Sequence, residues 1–258
     1  MKTVAIIQAR MGSSRLPGKM MLPLGGRETI TRVTERVMNA ETIDEVVVAT
    51  TTKKPDSLLA DYARDIGASV YRGSESDVLK RMVTAALEYE ADVVCRIAGD
   101  CPVVSPEIVD YAIPLLEQEN VDYVSNKLER TFPFGLDVEV FTRESFVQIE
   151  RIANRPKDRE HVTVYYREHP EKFSLYNFTS KEIFEKDQYI NRTDIELVLD
   201  EPDDYILLNT LFHELQTRNQ DVRSIIEYVD NHDLTSQTAK VTRKTKDDVE
   251  KKTDHTDV

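Results

Sequence analysis

The sequence predicts a three-layer α/β/α fold in which helices cover both faces of a mainly parallel, Rossmann-like sheet. Strand-like and helix-like segments alternate through the first 126 residues, and such alternation is typical of a parallel sheet with crossover helices. The strand-like segment at residues 93–97 is nearly all apolar, as expected for a parallel strand that is covered on both faces. The length of 258 residues fits one large domain or two small ones, and we expect one domain over residues 1–235.

The elements of the first half follow from local patterns. Strands are predicted at residues 4–7, 46–50, 69–71, 93–97 and 123–125. Apolar residues at helical spacing predict helices over 58–66 and 78–87. Ser105 followed by Pro106 is an N-cap and a first-turn proline, which predicts a third helix.

The pattern is looser after residue 126. Strands are predicted at 136–141, 173–178 and 195–199, and helices at 142–153, 158–168, 203–216 and 224–229. Residues 236–258 contain few apolar side chains and many Lys, Asp and Thr, which predicts a disordered tail.

Composition limits the classes of function. The 47 acidic residues outnumber the 34 basic ones, and the net charge of −13 argues against a nucleic acid or an anionic membrane as partner. The chain opens with a strand and not with a leader, and no apolar run reaches the roughly 20 residues of a membrane span, so we expect a cytoplasmic protein. Cys95 and Cys101 match no common zinc spacing, and we expect two free thiols.

The loop after the first strand carries three cations within ten residues, Arg10, Arg15 and Lys19, with Gly12, Ser13 and Ser14 between the first two. Backbone N–H groups of such a loop bind phosphate oxygens, and the cations neutralise their charge. A solvated basic turn is the alternative. The loop is not a P-loop, because no Gly-Lys-Ser/Thr follows the glycines at the required spacing.

Residues 6–26, IIQARMGSSRLPGKMMLPLGG, resemble the N-terminal signature of sugar nucleotidyltransferases. The resemblance is to cytidylyltransferases that activate acidic sugars, in particular the spore-coat-polysaccharide branch of the acylneuraminate cytidylyltransferase superfamily, and it extends to about residue 230. It implies the nucleotide-diphospho-sugar transferase fold and a loop that wraps the triphosphate of CTP. The implied nucleotide-binding residues of this loop are Ala9, Arg10, Met11, Gly12, Ser13, Ser14, Arg15 and Lys19.

A second motif, Gly99-Asp100-Cys101-Pro102, follows the fourth predicted strand, on the sheet edge where ligands of such folds bind. A carboxylate there is well placed to hold Mg²⁺ over phosphates, although Gly-Asp turns are common without a metal. The motif resembles the Gly-Asp-x-Pro metal motif of the family, which implies nucleotide contacts at Gly99 and Asp100 and a metal ligand at Asp100. Asp200, before Glu201-Pro202, is similarly implied as the second Mg²⁺ ligand, with a helix N-cap as its alternative.

Candidates for the acceptor site lie in the second half. Asp137 and Glu139 share one side of an alternating segment, which a solvated strand face explains equally well. The segment resembles the Gly-Leu-Asp-x-Glu segment that lines the acceptor pocket in the spore-coat branch, and also the Asp-x-Asp motif of glycosyltransferases. Residues 159–163, Arg-Glu-His-Val-Thr, are similar to a family segment near the acceptor, which implies roles for Arg159 and His161; ion pairs at a helix start are the alternative.

Two more arginines complete the candidate site. Arg192 is a candidate for binding the anionic group of the acceptor, and Arg72, after the third strand, is assigned to the nucleobase end of the nucleotide site.

The resemblance implies a Mg²⁺-dependent reaction of CTP with an acidic sugar, a nonulosonic or ulosonic acid, that gives a CMP-sugar and pyrophosphate for surface polysaccharide or glycan biosynthesis. Arg10, Lys19 and Asp100 are the implied catalytic residues, and no protein nucleophile is needed. It further implies a homodimer formed through the acceptor region at residues 127–180. The alternatives are a glycosyltransferase of related fold, a nucleotidyltransferase with another NTP or a phosphorylated or phosphonate acceptor, and a nucleotide-binding protein without activity.

Overall fold

The computed structural model describes residues 1–215 and 221–234. The strands are β1 (Thr3–Gln8), β2 (Pro23–Leu24), β3 (Arg27–Glu28), β4 (Glu45–Thr51), β5 (Ser69–Gly73), β6 (Val93–Ala98), β7 (Tyr123–Ser125), β8 (Glu139–Thr142) and β9 (Leu175–Asn177). The helices are α1 (Thr29–Met38), α2 (Asp56–Asp65), α3 (Val78–Glu88), α4 (Pro106–Gln118), α5 (Arg143–Ile152), α6 (Pro156–His161), α7 (Val164–Glu168), α8 (Pro202–Glu214) and α9 (Val222–Asn231).

A seven-stranded sheet in the order β5-β4-β1-β6-β8-β7-β9 forms the centre of the fold. The strands β5, β4, β1 and β6 are parallel, and β8 runs antiparallel between β6 and β7. The short β2–β3 hairpin stands apart from this sheet. The predicted α/β fold with a mainly parallel sheet is confirmed.

Alternate side chains of each central strand enter two separate cores, as the period of a strand requires. Ala5 and Ile7 of β1 pack with residues of α1, α2, α4, α8 and α9 on one face of the sheet. Val4 and Ile6 pack with α3, α5 and α7 on the other face. Helices therefore cover both faces, which explains why the central strands are almost free of polar residues.

The predicted strand at 195–199 is wrong, because this segment does not join the sheet. It is extended and forms an isolated bridge between Glu196 and Phe134. The Leu197 N–H donates to the Phe134 carbonyl at 2.8 Å, and the Leu199 N–H donates to the Asp100 carbonyl at 2.8 Å. The segment thus connects two loops, and this connection becomes important for the site.

Other elements differ from the predictions in their bounds. The predicted strand at 136–141 pairs only from Glu139, and the predicted helix at 158–168 divides into α6 and α7. The division falls at Val162, whose φ of 58° is incompatible with a continuing helix. Helix α1 was absent from the predictions, although Ile30, Val33 and Val37 recur at helical spacing. The predicted tail at 236–258 lies outside the described residues.

The parallel strands end together at one edge of the sheet. The Ala9 N–H, just after β1, donates to the Ala49 carbonyl of β4 at 3.3 Å, and the Gly99 N–H, just after β6, donates to the Gln8 carbonyl at 2.9 Å. The loops after β1, β4 and β6 therefore share that edge, as the topology of such sheets predicts. Within residues 1–215 and 221–234, no helix has both the length and the apolar character needed to cross a bilayer.

Candidate active site

The loop after β1 contains a row of backbone donors that have no partner among residues 1–215 and 221–234. Its base is closed by the Gly18 N–H, which donates to the Met11 carbonyl at 3.1 Å. The Met11 N–H is bound by the Asp56 carboxylate at 2.6 Å. Across the described residues, the N–H groups of the four residues 12–15 have no protein acceptor, whereas the Leu16 N–H donates to the Ser13 hydroxyl at 3.2 Å. Four consecutive free N–H groups can bind one anion.

The side chain of Lys19 brings the two predicted metal ligands together. Its Nζ lies 2.7 Å from Oδ2 of Asp100, 3.3 Å from Oδ1 of Asp200 and 2.9 Å from the Leu199 carbonyl. Lys19 is buried, and Arg15 forms an ion pair with the other oxygen of Asp200. Two carboxylates that contact one ammonium group are close enough to share a single cation. The predicted convergence of Lys19, Asp100 and Asp200 is therefore present.

Asp200 is not the N-cap of α8. That position is taken by Glu201, and a carboxylate oxygen of Asp204 accepts the N–H groups of Asp200 at 2.9 Å and of Glu201 at 2.7 Å. The side chain of Asp200 is left to face Lys19 and Arg15. The helix-capping alternative for Asp200 is therefore wrong.

Gly99 allows the two motif loops to approach each other. A Cβ atom at Gly99 would lie 2.9 Å from both the Ala9 Cβ and the Gln8 carbonyl oxygen, closer than real side chains allow. The next residue, Asp100, is fixed through its carbonyl by the Leu199 N–H. Close packing against the end of β1 therefore requires a glycine in the Gly-Asp motif. Ala9 and Gly99 lie just after the neighbouring strands β1 and β6.

The two remaining arginines of the predicted nucleotide site differ in their surroundings. Arg10 is exposed, and its guanidinium has no hydrogen bond or ion pair to any residue that the structure describes. Arg72 donates to the carbonyls of Thr51 and Lys53, each at 2.9 Å, and to the Ser57 hydroxyl at 3.1 Å. Arg10 is thus available to a ligand, whereas Arg72 fixes the loop between β4 and α2. A nucleobase contact of Arg72 stays a prediction.

Glu139 lies in a buried network of charges. Its side chain is 2 % exposed; it forms an ion pair with Arg96, accepts the Tyr123 hydroxyl at 2.6 Å and lies 3.3 Å from the Lys127 Nζ. Burial alone would raise the pKa of Glu139, but the charges of Lys127 and Arg96, with hydrogen bonds from Thr163 and Tyr123, hold it well below its ordinary value. A buried carboxylate with these partners does not face an acceptor, which corrects the predicted contact for Glu139.

Asp137 shares Lys127 with Glu139, so the predicted common side of these two residues is confirmed. The Arg130 guanidinium binds both oxygens of Asp137, with Nη2 at 3.0 Å from Oδ2. About a fifth of each side chain of Asp137, Arg130 and Lys127 is exposed. The glycosyltransferase alternative would need both carboxylates to reach a metal-bound nucleotide, and Glu139 is buried.

The two predicted acceptor residues of α6 differ: Arg159 is paired with acidic residues, and His161 is exposed. Arg159 forms ion pairs with Asp77 at 2.6 Å and Glu150 at 3.0 Å, which agrees with the ion-pair alternative. His161 is exposed, and its imidazole has no hydrogen bond within the described ranges. A direct acceptor contact of Arg159 would require its ion pairs to open, and the role of His161 stays a prediction.

Arg192 forms ion pairs with Asp194 and with a residue of α9. Its guanidinium binds Asp194 at 2.9 Å and Asp230 of α9 at 2.7 Å, each through a second hydrogen bond as well. The structure thus gives it the role of joining α9 to the preceding loop. This corrects the expectation that Arg192 offers a free charge to the acceptor.

Three residues of the site were absent from the predictions: Asp56, Lys127 and Arg130. Asp56 follows β4 at the start of a predicted helix, where an acidic residue is ordinarily explained by helix capping. Lys127 and Arg130 lie in a segment without periodicity. The thiols of Cys95 and Cys101 are free and buried, and burial raises the pKa of both, to about 12 for Cys95, as is typical of structural thiols.

Comparisons with known proteins place the chain among its relatives. Residues 4–244 match a family model described as cytidylyltransferase. An uncharacterized protein of Methanocaldococcus jannaschii is 37% identical over 232 residues, which cover 90% of this chain and 92% of that protein. The spore coat polysaccharide biosynthesis protein SpsF of Bacillus subtilis is 34% identical over 218 residues, 83% of this chain and 87% of that protein.

More distant relatives and solved structures extend the picture. A 3-deoxy-manno-octulosonate cytidylyltransferase of Zea mays is 36% identical over 126 residues, 45% of this chain and 39% of that protein. The structure of a cytidylyltransferase from Leptospira borgpetersenii superposes with a TM-score of 0.86 at 30% identity, covering 94% of this chain and 100% of that one. A CMP:2-keto-3-deoxy-manno-octonic acid synthetase complexed with CTP shares the fold, with a TM-score of 0.61 at 16% identity over 83% of this chain and 100% of that one.

Proposed function

The chain belongs to the cytidylyltransferase family, and we propose from this premise that it converts CTP and a sugar acid into a CMP-sugar and pyrophosphate. A hydroxyl oxygen of the sugar acid attacks the α-phosphorus, a new P–O bond forms, and the bond from the α-phosphorus to the bridging oxygen of the β-phosphate breaks. Pyrophosphate leaves with the electron pair, and the hydroxyl proton passes to solvent. The product would serve surface polysaccharide or glycan biosynthesis.

The row of four free backbone N–H groups beside Arg10, Arg15 and Lys19 is the observation that supports a triphosphate site best. These N–H groups and cations would hold the β- and γ-phosphates and stabilise the charge of the leaving pyrophosphate. Phosphoryl transfer depends mainly on positioning and charge, so the absence of an activated thiol is consistent with this reaction.

The residues around Lys19 fit a magnesium ion. Mg²⁺ prefers oxygen ligands and is bound by one or two carboxylates together with phosphates. Asp100 and Asp200 already enclose a positive group, the Lys19 ammonium, and they would hold the ion. When bound, Mg²⁺ supplies positive charge to the phosphate oxygens. Lys19 and Arg15 would then turn from the carboxylates to the phosphates.

An acidic sugar of the nonulosonic or ulosonic type is the acceptor that we propose, and Asp137, Lys127 and Arg130 would contact it. The charges of Asp100, Asp137, Lys127 and Lys19 all act on the Cys101 thiol, which supports a position of the acceptor cluster beside the nucleotide site. Lys127 or Arg130 would exchange Asp137 for the carboxylate of the sugar. We further propose a homodimer through residues 127–180, which light scattering would test.

Release of pyrophosphate tests the proposed reaction. The purified chain is assayed with each of the four NTPs and Mg²⁺ against a panel of sugar acids, with reactions that lack the acceptor or the enzyme as controls. We expect release that needs CTP and one class of sugar acid, together with a CMP-sugar found by mass spectrometry. Equal release with UTP or with a sugar phosphate would replace the proposed substrates, and turnover of a nucleotide sugar would favour the glycosyltransferase alternative.

A further inference from the structure

Asp56 is a buried carboxylate beneath the phosphate loop that the proposed reaction does not use. It is the first residue of α2 and is 3 % exposed. Its Oδ1 accepts the Met11 N–H at 2.6 Å, and its Oδ2 accepts the Thr51 hydroxyl. It therefore connects Met11, 45 residues earlier in the chain, to the end of β4.

Met11 is fixed on both sides of its backbone. Its N–H is held by Asp56, and its carbonyl is held by the Gly18 N–H at 3.1 Å. The residues that follow, 12–15, carry the free N–H groups. The Met11 carbonyl shares a peptide unit with the Gly12 N–H, the first of the free groups, and Asp56 holds the preceding peptide unit through the Met11 N–H. The two contacts together fix the start of the row.

Asp56 is itself held in place by the loop between β4 and α2. The Thr51 hydroxyl that donates to Asp56 also accepts the Lys53 N–H at 3.1 Å, and the Asp56 N–H donates to the Lys53 carbonyl at 3.0 Å. Arg72 in turn binds the carbonyls of Thr51 and Lys53. Each polar group in this chain of contacts has a partner, so the Asp56 carboxylate has one preferred orientation.

We propose that Asp56 is a positioning residue that aligns the free N–H groups of residues 12–15 for the triphosphate of the nucleotide. The inference rests on the proposed function, since it takes the anion to be a nucleotide triphosphate. Asp56 acts through the Met11 backbone and does not contact the substrate.

Because Asp56 is negatively charged, the direction in which its substitution changes CTP affinity tests this proposal. A carboxylate near a triphosphate repels it, so a purely electrostatic role predicts tighter CTP binding when the charge is removed. A positioning role predicts weaker binding when the acceptor oxygen is removed, and nearly unchanged binding when an uncharged oxygen remains. Asp56→Ala and Asp56→Asn separate these two roles.

The experiment measures the Kd of CTP with Mg²⁺ by titration calorimetry for the wild type, both Asp56 variants and Asp61→Ala. Asp61 lies on the same helix, exposed to solvent, and is the matched control. We expect Asp56→Ala to weaken binding by roughly 10- to 100-fold, because the nucleotide must then order a loop that Asp56 no longer holds, and Asp56→Asn to stay within about threefold of the wild type. At saturating CTP, the KM of the acceptor should not change.

Other results would overturn the inference. Asp56→Ala that binds CTP as tightly as the wild type or tighter would do so, and so would Asp56→Asn that binds as weakly as Asp56→Ala. If Asp56→Ala does not fold, Thr51→Val tests the same contact, because it removes the hydroxyl that orients the carboxylate; a Kd equal to that of the wild type would then count against the inference. Failure of the wild type itself to bind CTP would overturn the proposed function and the inference together.

Discussion

The two halves of the candidate site treat their charged groups differently. On the nucleotide side, residues 9–19 keep Arg10 and four backbone N–H groups without protein partners in the described chain. On the acceptor side, Asp137, Glu139 and Arg159 are all paired with charges of the opposite sign. On the nucleotide side, the free N–H groups and Arg10 are ready for an anion before it arrives, whereas Arg15 and Lys19, like the charges of the acceptor side, must exchange partners to bind one.

This difference has a physical consequence. Donors that are free before binding lose no protein contact when a ligand arrives, so the nucleotide half is preorganised. Charges that are already paired contribute mainly to stability, because removing one member of a buried pair leaves the other uncompensated. We therefore expect substitutions on the nucleotide side to lower activity in a folded protein, and substitutions on the acceptor side to lower stability as well.

The largest expected effect is that of Asp100→Ala. Loss of a proposed metal ligand removes several kcal/mol of transition-state stabilisation, and we expect turnover to fall by about 1,000-fold or more. The thermal unfolding midpoint should change little, because Asp100 is partly exposed. Pyrophosphate release and calorimetry measure the two quantities, with Asp65→Ala, an exposed residue of α2, as control. Turnover at the wild-type rate would contradict the metal assignment.

Glu139→Gln tests the acceptor half through stability. Arg96 would lose its counter-charge and Lys127 would keep only Asp137, and we expect the free energy of unfolding to fall by about 3 kcal/mol at pH 7. Because the pKa of Glu139 is lowered in the folded state, its stabilisation is present above the unfolded pKa of about 4.3 and is lost as pH falls toward the folded value.

Urea unfolding at several pH values measures this dependence. The wild type should be more stable than Glu139→Gln at pH 6 to 7, and the difference should shrink steadily as pH falls below about 4.3. A difference that is constant down to pH 3 would show that the charge of Glu139 does not stabilise the fold.

Lys19→Met has an intermediate effect that separates the two functions of Lys19. Loss of one charge-assisted contact should raise the KM of CTP by roughly 10- to 100-fold. The variant also leaves Asp100 and Asp200 facing each other without the ammonium between them. We therefore expect Mg²⁺ alone to raise the unfolding temperature of Lys19→Met more than that of the wild type or of Lys186→Met, an exposed control.

A larger KM for the acceptor with unchanged use of CTP would contradict the phosphate role of Lys19. An equal response of Lys19→Met and the wild type to Mg²⁺ would contradict the shared site of the lysine and the metal. The two measurements are independent of each other, because the second needs no substrate.

Prediction from the sequence was most successful where one short segment contains both a strand and the charged residues that follow it. The loop after β1 and Gly99-Asp100 each follow an apolar strand, so topology alone places Arg10, Lys19 and Asp100 at one edge. The segment at 195–199 was misjudged, since its apolar alternation is that of a strand whereas its hydrogen bonds go to two loops. The periodicity of apolar residues indicates which side chains are buried, but it does not indicate where the backbone hydrogen bonds of the segment go.

The role of an individual charged residue could not be predicted where its partner lies far away in the sequence. Nothing near Arg192 in the sequence shows that Asp230 will bind it, and nothing near Asp56 shows that the Met11 N–H will. A charged residue in a motif therefore indicates a site only if no distant residue neutralises it. Arg10 forms no ion pair in the described chain, although its charge acts on Glu75, whereas Arg192 is paired with Asp194 and Asp230.

The smallest expected effect is that of Arg192→Gln. We compare this variant, which loses an arginine paired outside the acceptor cluster, with Lys127→Met, which loses a cation inside it. The partners of Arg192 are about half exposed, so its loss should cost at most about 1 kcal/mol, or roughly 2–4 °C in the unfolding temperature. The KM of the acceptor should stay unchanged in Arg192→Gln and rise in Lys127→Met. If Arg192→Gln raised that KM while Lys127→Met did not, the acceptor's anionic group would bind beside α9, and the ion pairs of Arg192 would have to open during turnover.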